Sequence, residues 1–205
     1  MDSQFQNRVA SPLRCNFLLC AVMDSYRTIV IDPPWKYGKW GTPTNRDGHD
    51  AKRLPYETMS VWEISRLPVE RLAADNCELY LWTTQKFLPD SFGVLKQWGF
   101  RYCQTLSWCK TPRGTGQGGM FTPTTEFLVL GRRGKAPTGK RRVDSTWWNQ
   151  KREHNAHSRK PEFFQDMIEE VTEGPRLEMF ARRKRPGWDV WGKEVESDIE
   201  LQLGT

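Results

Sequence analysis

The sequence predicts an α/β sandwich built on a mostly parallel sheet, and three observations carry that prediction. Short apolar runs rich in β-branched or aromatic residues recur at 26 to 31, 77 to 83 and 126 to 131, the pattern of buried strands. Segments with helix-start signals lie between these runs and after them. The chain has 205 residues, of which 37% are hydrophobic and 12% aromatic, ten of them Trp, which argues for one sizeable core and against disorder.

The elements follow in order. "YRTIVI" (26 to 31) reads as a buried strand and runs into Asp32, Pro33, Pro34 and Trp35. Neither proline has an N–H for a sheet, and each holds its own φ while pushing the residue before it toward an extended conformation. The strand therefore stops in a stiff elbow carrying a carboxylate, carbonyls that no ladder uses, and a ring expected to be exposed. Residues 36 to 55 are rich in Gly, Pro and Thr and read as a long loop. Ser60 followed by Glu63 is a capping box that opens a helix in "SVWEISRL". "CELYLWT" (77 to 83) is the next strand, a helix crosses 89 to 98, and 111 to 123 is a second long loop. "EFLVLG" (126 to 131) is a strand, and Pro161 suits the first position of a helix over 161 to 171. "PRLEMFAR" (175 to 182) and "WDVWG" (188 to 192) complete the series as a strand and a short edge strand.

The remaining features bound the function. Residues 13 to 23 form an apolar run too short to span a membrane, with no cleavage region before the strand at Tyr26. Residues 1 to 22 are read as an extension ahead of Met23, residues 23 to 196 as the domain and 197 to 205 as a tail, in a cytoplasmic protein. The five cysteines form no C-x-x-C pair and have no histidine cluster beside them, so reduced thiols and no zinc are expected; His49, His154 and His157 are read as loop residues. Lys and Arg number 31 against 25 Asp and Glu, a formal charge of +6 that suits a polyanion. Basic runs at 131 to 135, 139 to 142 and 182 to 185 flank expected strands and are expected to line the rim of one cleft.

In open α/β sheets ligands bind beyond the carboxyl ends of the strands, where the elbow falls. An amine on a flat ring, such as N6 of adenine, is a poor nucleophile because its lone pair is delocalised. Acceptors that hold its two N–H bonds favour a tetrahedral, reactive nitrogen. Asp32 can accept one N–H and the Pro33 carbonyl the other, while Trp35 stacks on the base, and the prolines keep these acceptors preorganised.

Asp32-Pro33-Pro34-Trp35 resembles the DPPW motif of the mRNA adenosine-N6-methyltransferase (MT-A-type) family. "LPYETMS" (54 to 60), "LYLWTT" (79 to 84), "LKQWGF" (95 to 100), "LSWCKT" (106 to 111), "EFLVLGRRGKAP" (126 to 137), "SRKPEFFQDMIEEV" (158 to 171) and "LEMFAR" (177 to 182) follow that family's order, covering roughly residues 26 to 194. The resemblance implies a Rossmann-like methyltransferase fold, a mostly parallel sheet with helices on both faces, and S-adenosyl-L-methionine as cofactor. Its implied catalytic elbow is Asp32, Pro33, Pro34 and Trp35, with Asp32 also near the sulfonium. Tyr56 and Glu126 match positions lining the base pocket; Lys160, Glu178 and Arg182 match cofactor-contacting positions. After Arg182 the family commonly has a His-Asn pair and then an Asn-Gln pair, which this chain lacks; Lys193 and Glu194 stand where the second pair would fall.

The expected function is S-adenosylmethionine-dependent N6-adenine methylation of DNA or RNA by a monomer or homodimer, without a membrane. Methylation of another nucleobase amine, or a catalytically silent nucleic-acid-binding relative, are the alternatives. The intact Asp32 argues against the silent relative.

Overall fold

The computed structural model describes residues 25–37, 57–110, 120–137, 142–151 and 159–201. Strand β1 (Tyr26–Ile31) lies near the centre of the sheet, with Ile29, Val30 and Ile31 almost fully buried. β2 (Ala73–Thr84) and β6 (Arg176–Met179) flank it, both parallel to it. Beyond β2 comes β4 (Thr125–Arg133), antiparallel both to β2 and to its other neighbour β3 (Arg101–Lys110). β5 (Trp147–Gln150) is parallel to β3 at one edge, and β7 (Asp189–Trp191) is parallel to β6 at the other. The order is β5-β3-β4-β2-β1-β6-β7, and β4 alone reverses direction.

Side chains alternate across each strand, so a continuous apolar run supplies both faces. Ile29, Ile31, Leu79 and Leu81 face one core, closed by α1 (Val61–Ser65), α2 (Val69–Leu72) and α3 (Leu88–Gln97) through Ile64, Val69, Leu72, Val94 and Leu95. Val30, Tyr80, Trp82, Trp108 and Leu128 face the other, closed by Phe164, Met167 and Ile168 of α4 (Glu162–Val171). This is the Rossmann-like arrangement expected, with helices on both faces of a mostly parallel sheet.

Several local expectations hold. The capping box opens α1: Ser60 Oγ accepts from the Glu63 N–H at 3.2 Å, and Glu63 Oε2 accepts from the Ser60 N–H at 2.6 Å. A cap of this kind stabilises a helix by about 0.5–2 kcal/mol. Pro161 stands one place earlier than expected, at the N-cap with ψ 137°, and α4 starts at Glu162.

Two strands escape the sequence reading. β3 buries only Leu106 and Trp108 deeply, its polar residues Gln104, Thr105 and Ser107 breaking any apolar run; β5 is four residues long. The reversal of β4 corrects the basic-rim expectation. Arg132 and Arg133 lie opposite Glu78 and Cys77, at the end of the sheet away from Asp32. Arg132 spends its guanidinium on Glu78 Oε1, at 3.0 and 2.6 Å, and Arg133 donates to the Glu70 carbonyl.

Among the described residues, Cys77, Cys103 and Cys109 are free thiols, and burial pushes the Cys77 thiol up to about 12. None of the described helices is long and apolar enough to cross a membrane. Tyr56, Arg141, the three histidines, Cys15, Cys20 and residues 1 to 22 lie outside the described residues.

Candidate active site

The elbow forms where β1 runs out of partners, its last ladder contact being the Asp32 N–H to the Met179 carbonyl at 3.4 Å. The two proline carbonyls are not idle, as the sequence had led us to expect. Pro33 accepts from the Trp35 N–H at 2.9 Å, and Pro34 from the Met59 N–H at 2.8 Å, tying the elbow to the residues before α1. A carbonyl carries two lone pairs, so Pro33 keeps capacity for one more donor.

Trp35 is not the exposed ring the sequence suggested. It is 5% exposed, stacks on Phe87 at 5.1 Å with planes 14° apart, and donates from Nε1 to the Trp82 carbonyl at 3.0 Å. With one face on Phe87 and its only polar hydrogen satisfied, Trp35 anchors the elbow to the core. A base does not stack on it in this arrangement.

Asp32 opens a chain of alternating charges. Lys160 Nζ, just ahead of α4, reaches both Asp32 oxygens at 2.8 and 2.7 Å and lies 3.4 Å from Glu126 Oε2. Glu126 is also ion-paired to Lys110 at the end of β3. Both lysines sit over indoles, Lys160 5.3 Å from the Trp82 ring and Lys110 5.3 Å from Trp108. The register brings these groups together: Glu126 is opposite Thr84 on β2 and Trp108 on β3, and Lys110 is two residues beyond Trp108 on the same face.

Burial dominates the protonation of this cluster and is answered differently at each member. It holds the Asp32 carboxyl above its ordinary value, although Lys160 pulls the other way. Burial works to lower Lys160, but Asp32 and Glu126 together hold it above its ordinary value. Burial also acts to raise Glu126, yet Lys160 and Lys110 bring it below the ordinary carboxylate range.

From Asp32 a cleft runs between the start of α4 and the ends of β1 and β6, lined by Val30, Trp82, Phe164, Ile168, Phe180, Gln165 and Glu178. Glu178 lies beside Val30 in the β1–β6 ladder and accepts from Gln165 Nε2 at 2.5 Å. Burial holds its carboxyl above the ordinary value, with the nearby Asp32 charge adding to the rise and the Gln165 bond opposing it. Phe180, directly after β6, takes the left-handed region at φ 61°, rare for a residue with a side chain. Backbone strain of this kind clusters at ligand-binding sites.

The structure thus brings Asp32, Lys160 and Glu178 around one cleft, with Glu126 behind Lys160 and outside the lining. Arg182 lines it too and pairs with Glu194 at 3.6 Å, held near by the close approach of Gly192 to the Ala181 backbone. Neither Lys193 nor Glu194 lines the cleft, and Lys193 pairs with Glu57 on the surface. The 182–185 run is engaged with carboxylates throughout. Arg183 pairs with Glu162, Lys184 with Asp198, and Arg185 with Asp166 and Glu169, so of this run Arg182 and Arg183 line the cleft as expected, each with a carboxylate partner. Lys110, Gln165 and Phe180 are site residues that sequence reasoning passed over. Only recognising β3 as a strand hairpinned to β4 would have aligned Lys110 with Glu126.

Comparison with known proteins bears on the same residues. The MT-A70 family model matches residues 26–194. The chain is 30% identical over 192 residues to the type II methyltransferase M.MunI of Mycoplasma sp., covering 86% of this chain and 81% of that protein. It is 29% identical over 209 residues to the human N(6)-adenine-specific methyltransferase METTL4, covering 90% of this chain and 40% of that one. It is 27% identical over 202 residues to the N6-methyladenosine RNA methyltransferase MTA1 of Pyricularia oryzae, covering 87% of this chain and 49% of that one. The chain thus spans most of the Mycoplasma enzyme but half or less of the other two. A match running from the first residue of β1 to just past β7, with the DPPW elbow and its charge chain inside it, establishes that this chain belongs to the MT-A70 family.

Proposed function

We propose that the protein is an S-adenosylmethionine-dependent N6-adenine methyltransferase acting on DNA or RNA in the cytoplasm, with residues 23–196 as the active domain. One observation carries the reading. The carboxylate that follows β1 is joined through Lys160 to Glu126 and opens onto a cleft that holds the half-buried carboxylate Glu178. The adenine-directed names of several relatives support it.

The cleft suits the proposed cofactor. Its apolar lining by Val30, Phe164, Ile168 and Phe180 supplies the kind of surface a flat adenine ring packs against, and Glu178 provides an acceptor for ribose hydroxyls. Lys160 and Arg182 supply cations for a carboxylate, and Asp32 an anion for a sulfonium. When bound, the cofactor supplies the methyl group and takes the electron pair of the breaking S–C bond.

The chain's own residues do the rest by positioning. Asp32 and the spare lone pair of Pro33 accept the two N–H bonds of the substrate amine and steer its nitrogen toward tetrahedral geometry. Lys160 must first yield an Asp32 oxygen, and Glu126 at 3.4 Å gives its ammonium an alternative partner. The buried Trp35 and the two prolines keep the acceptors from relaxing. On duplex substrates the adenine must leave the stack at a cost of about a few kcal/mol, less on single strands.

The test is incubation with methyl-labelled cofactor and, separately, single- and double-stranded DNA and RNA, followed by nucleoside mass spectrometry. Labelled N6-methyladenine in one of these is expected. Label in another nucleobase would move the reading to that base, and no label with any substrate would contradict it.

A further inference from the structure

With Trp35 committed to the core, the elbow still carries an aromatic ring two residues on. Tyr37 is 47% exposed yet anchored at three points. Its hydroxyl donates to Thr84 Oγ1 at 2.8 Å, its ring meets Phe87 edge-on at 5.1 Å, and the Lys86 ammonium lies 5.7 Å from its centroid. Thr84 is directly opposite Glu126 in the β2–β4 ladder, on the face that also carries Trp82 and Leu128, whereas Phe87 belongs to the core on the other face. Tyr37 therefore reaches across the end of β2 and sets its hydroxyl on Thr84, the residue paired with Glu126.

An exposed tyrosine covering a strand end needs no function, since single exposed apolar residues are common. Here the ring is held in place before any ligand arrives, and it is bonded to Thr84, the cross-strand neighbour of a carboxylate joined through Lys160 to Asp32. Stacking on a ring so fixed costs little side-chain entropy. We propose that Tyr37, held by Phe87, Thr84 and Lys86, is the residue on which the target nucleobase stacks while its amine is held at Asp32. This assigns to Tyr37 the task the sequence had given Trp35, and it rests on the nucleobase-methyltransferase reading above.

The test uses the oligonucleotide that wild-type protein methylates, prepared also with 2-aminopurine in place of the acceptor adenine. Tyr37→Leu keeps an apolar contact with Phe87 but has no π-face; Tyr37→Phe keeps the ring and loses the Thr84 bond. With wild type and Tyr37→Phe, bound 2-aminopurine should be quenched by stacking. With Tyr37→Leu it should brighten, and oligonucleotide affinity should fall about 5- to 150-fold, the range that loss of one stacked base spans. S-adenosylmethionine binding should be unchanged in both variants, showing that they are folded. Wild-type quenching and affinity in Tyr37→Leu, or loss of quenching in Tyr37→Phe, would overturn the assignment of Tyr37 alone. Failure of wild type to methylate any oligonucleotide would overturn the methyltransferase reading and this proposal with it.

Discussion

Lys110 acts on the charge of Glu126 from outside the lining of the cleft. It is one of two cations that hold Glu126 ionised against burial; Lys160, the other, is shared with Asp32. Removing Lys110 leaves Glu126 to compete with Asp32 for Lys160. Lys110→Met is therefore expected to move the acid limb of the kcat/KM profile to higher pH and to lower stability by about 1.5–3 kcal/mol, the loss typical of a hydrogen bond to a charged group. Because Glu126 is held below its ordinary value, its stabilising contribution is complete above the ordinary carboxylate range and is lost as pH falls through the lowered value. Lys110→Arg should restore the profile; an unshifted acid limb in Lys110→Met would mean that Lys160 alone sets the state of Glu126. Glu178 carries the opposite sign, since the folded protein holds its proton to higher pH than the unfolded chain does. Ionising it therefore costs stability as pH rises, while cofactor binding, with the carboxylate in its proposed role as acceptor, should weaken as pH falls through the raised value. Titration calorimetry with S-adenosylmethionine should show this loss beginning above the ordinary carboxylate range, and Glu178→Gln should reduce the pH dependence to the part that Asp32, also held above its ordinary value, supplies. A wild-type affinity flat across that window would take Glu178 out of the cofactor site.

The elbow is a packed element, and the sequence conveyed half of that. Two prolines after an apolar run state that the strand ends and that the turn is stiff. They do not state that Trp35 turns inward, because that depends on Phe87 and on the Trp82 carbonyl, some fifty residues away. Truncating a buried tryptophan typically costs about 3–5 kcal/mol. Trp35→Ala should accordingly destabilise the fold by that amount in urea unfolding, whereas a loss below about 1 kcal/mol would place the ring at the surface. The same division runs through the other elements. β1 and the capped start of α1 were legible because their signals are local. β3 and β5 were not, since half-exposed strands mix polar residues into the apolar pattern and are held by partners distant in sequence. Asp32, Glu126, Lys160 and Glu178 were legible as residues through the family motifs. The pairing of Lys160 with both Asp32 and Glu126 was not, because it arises only when β4 and the start of α4 meet at the end of β1.

At the scale of the whole molecule, topology decides which charges serve the site. A net charge of +6 suggested a basic rim; the reversal of β4 carries Arg132 and Arg133 to the far end of the sheet, while Arg182 and Arg183 line the cleft with carboxylate partners. What the sheet does deliver to one end is the carboxylate after β1, the start of β4, the end of β3 and the approach to α4, so the proposed function rests on the charge chain that begins at Asp32. The central claim is that this carboxylate positions the amine for methyl transfer. Its most direct test is the rate of methyl transfer to adenine, measured at saturating cofactor, for wild type, Asp32→Asn and Asp32→Ala, with cofactor affinity measured alongside. Losing one preorganised hydrogen-bonding group of this kind typically costs about 10²- to 10³-fold. Asp32→Ala should lose at least that much rate with much of the cofactor affinity kept, and Asp32→Asn, whose amide oxygen still accepts one N–H, should retain more than Ala. Near-normal turnover by Asp32→Ala would contradict the account and leave the elbow a structural turn.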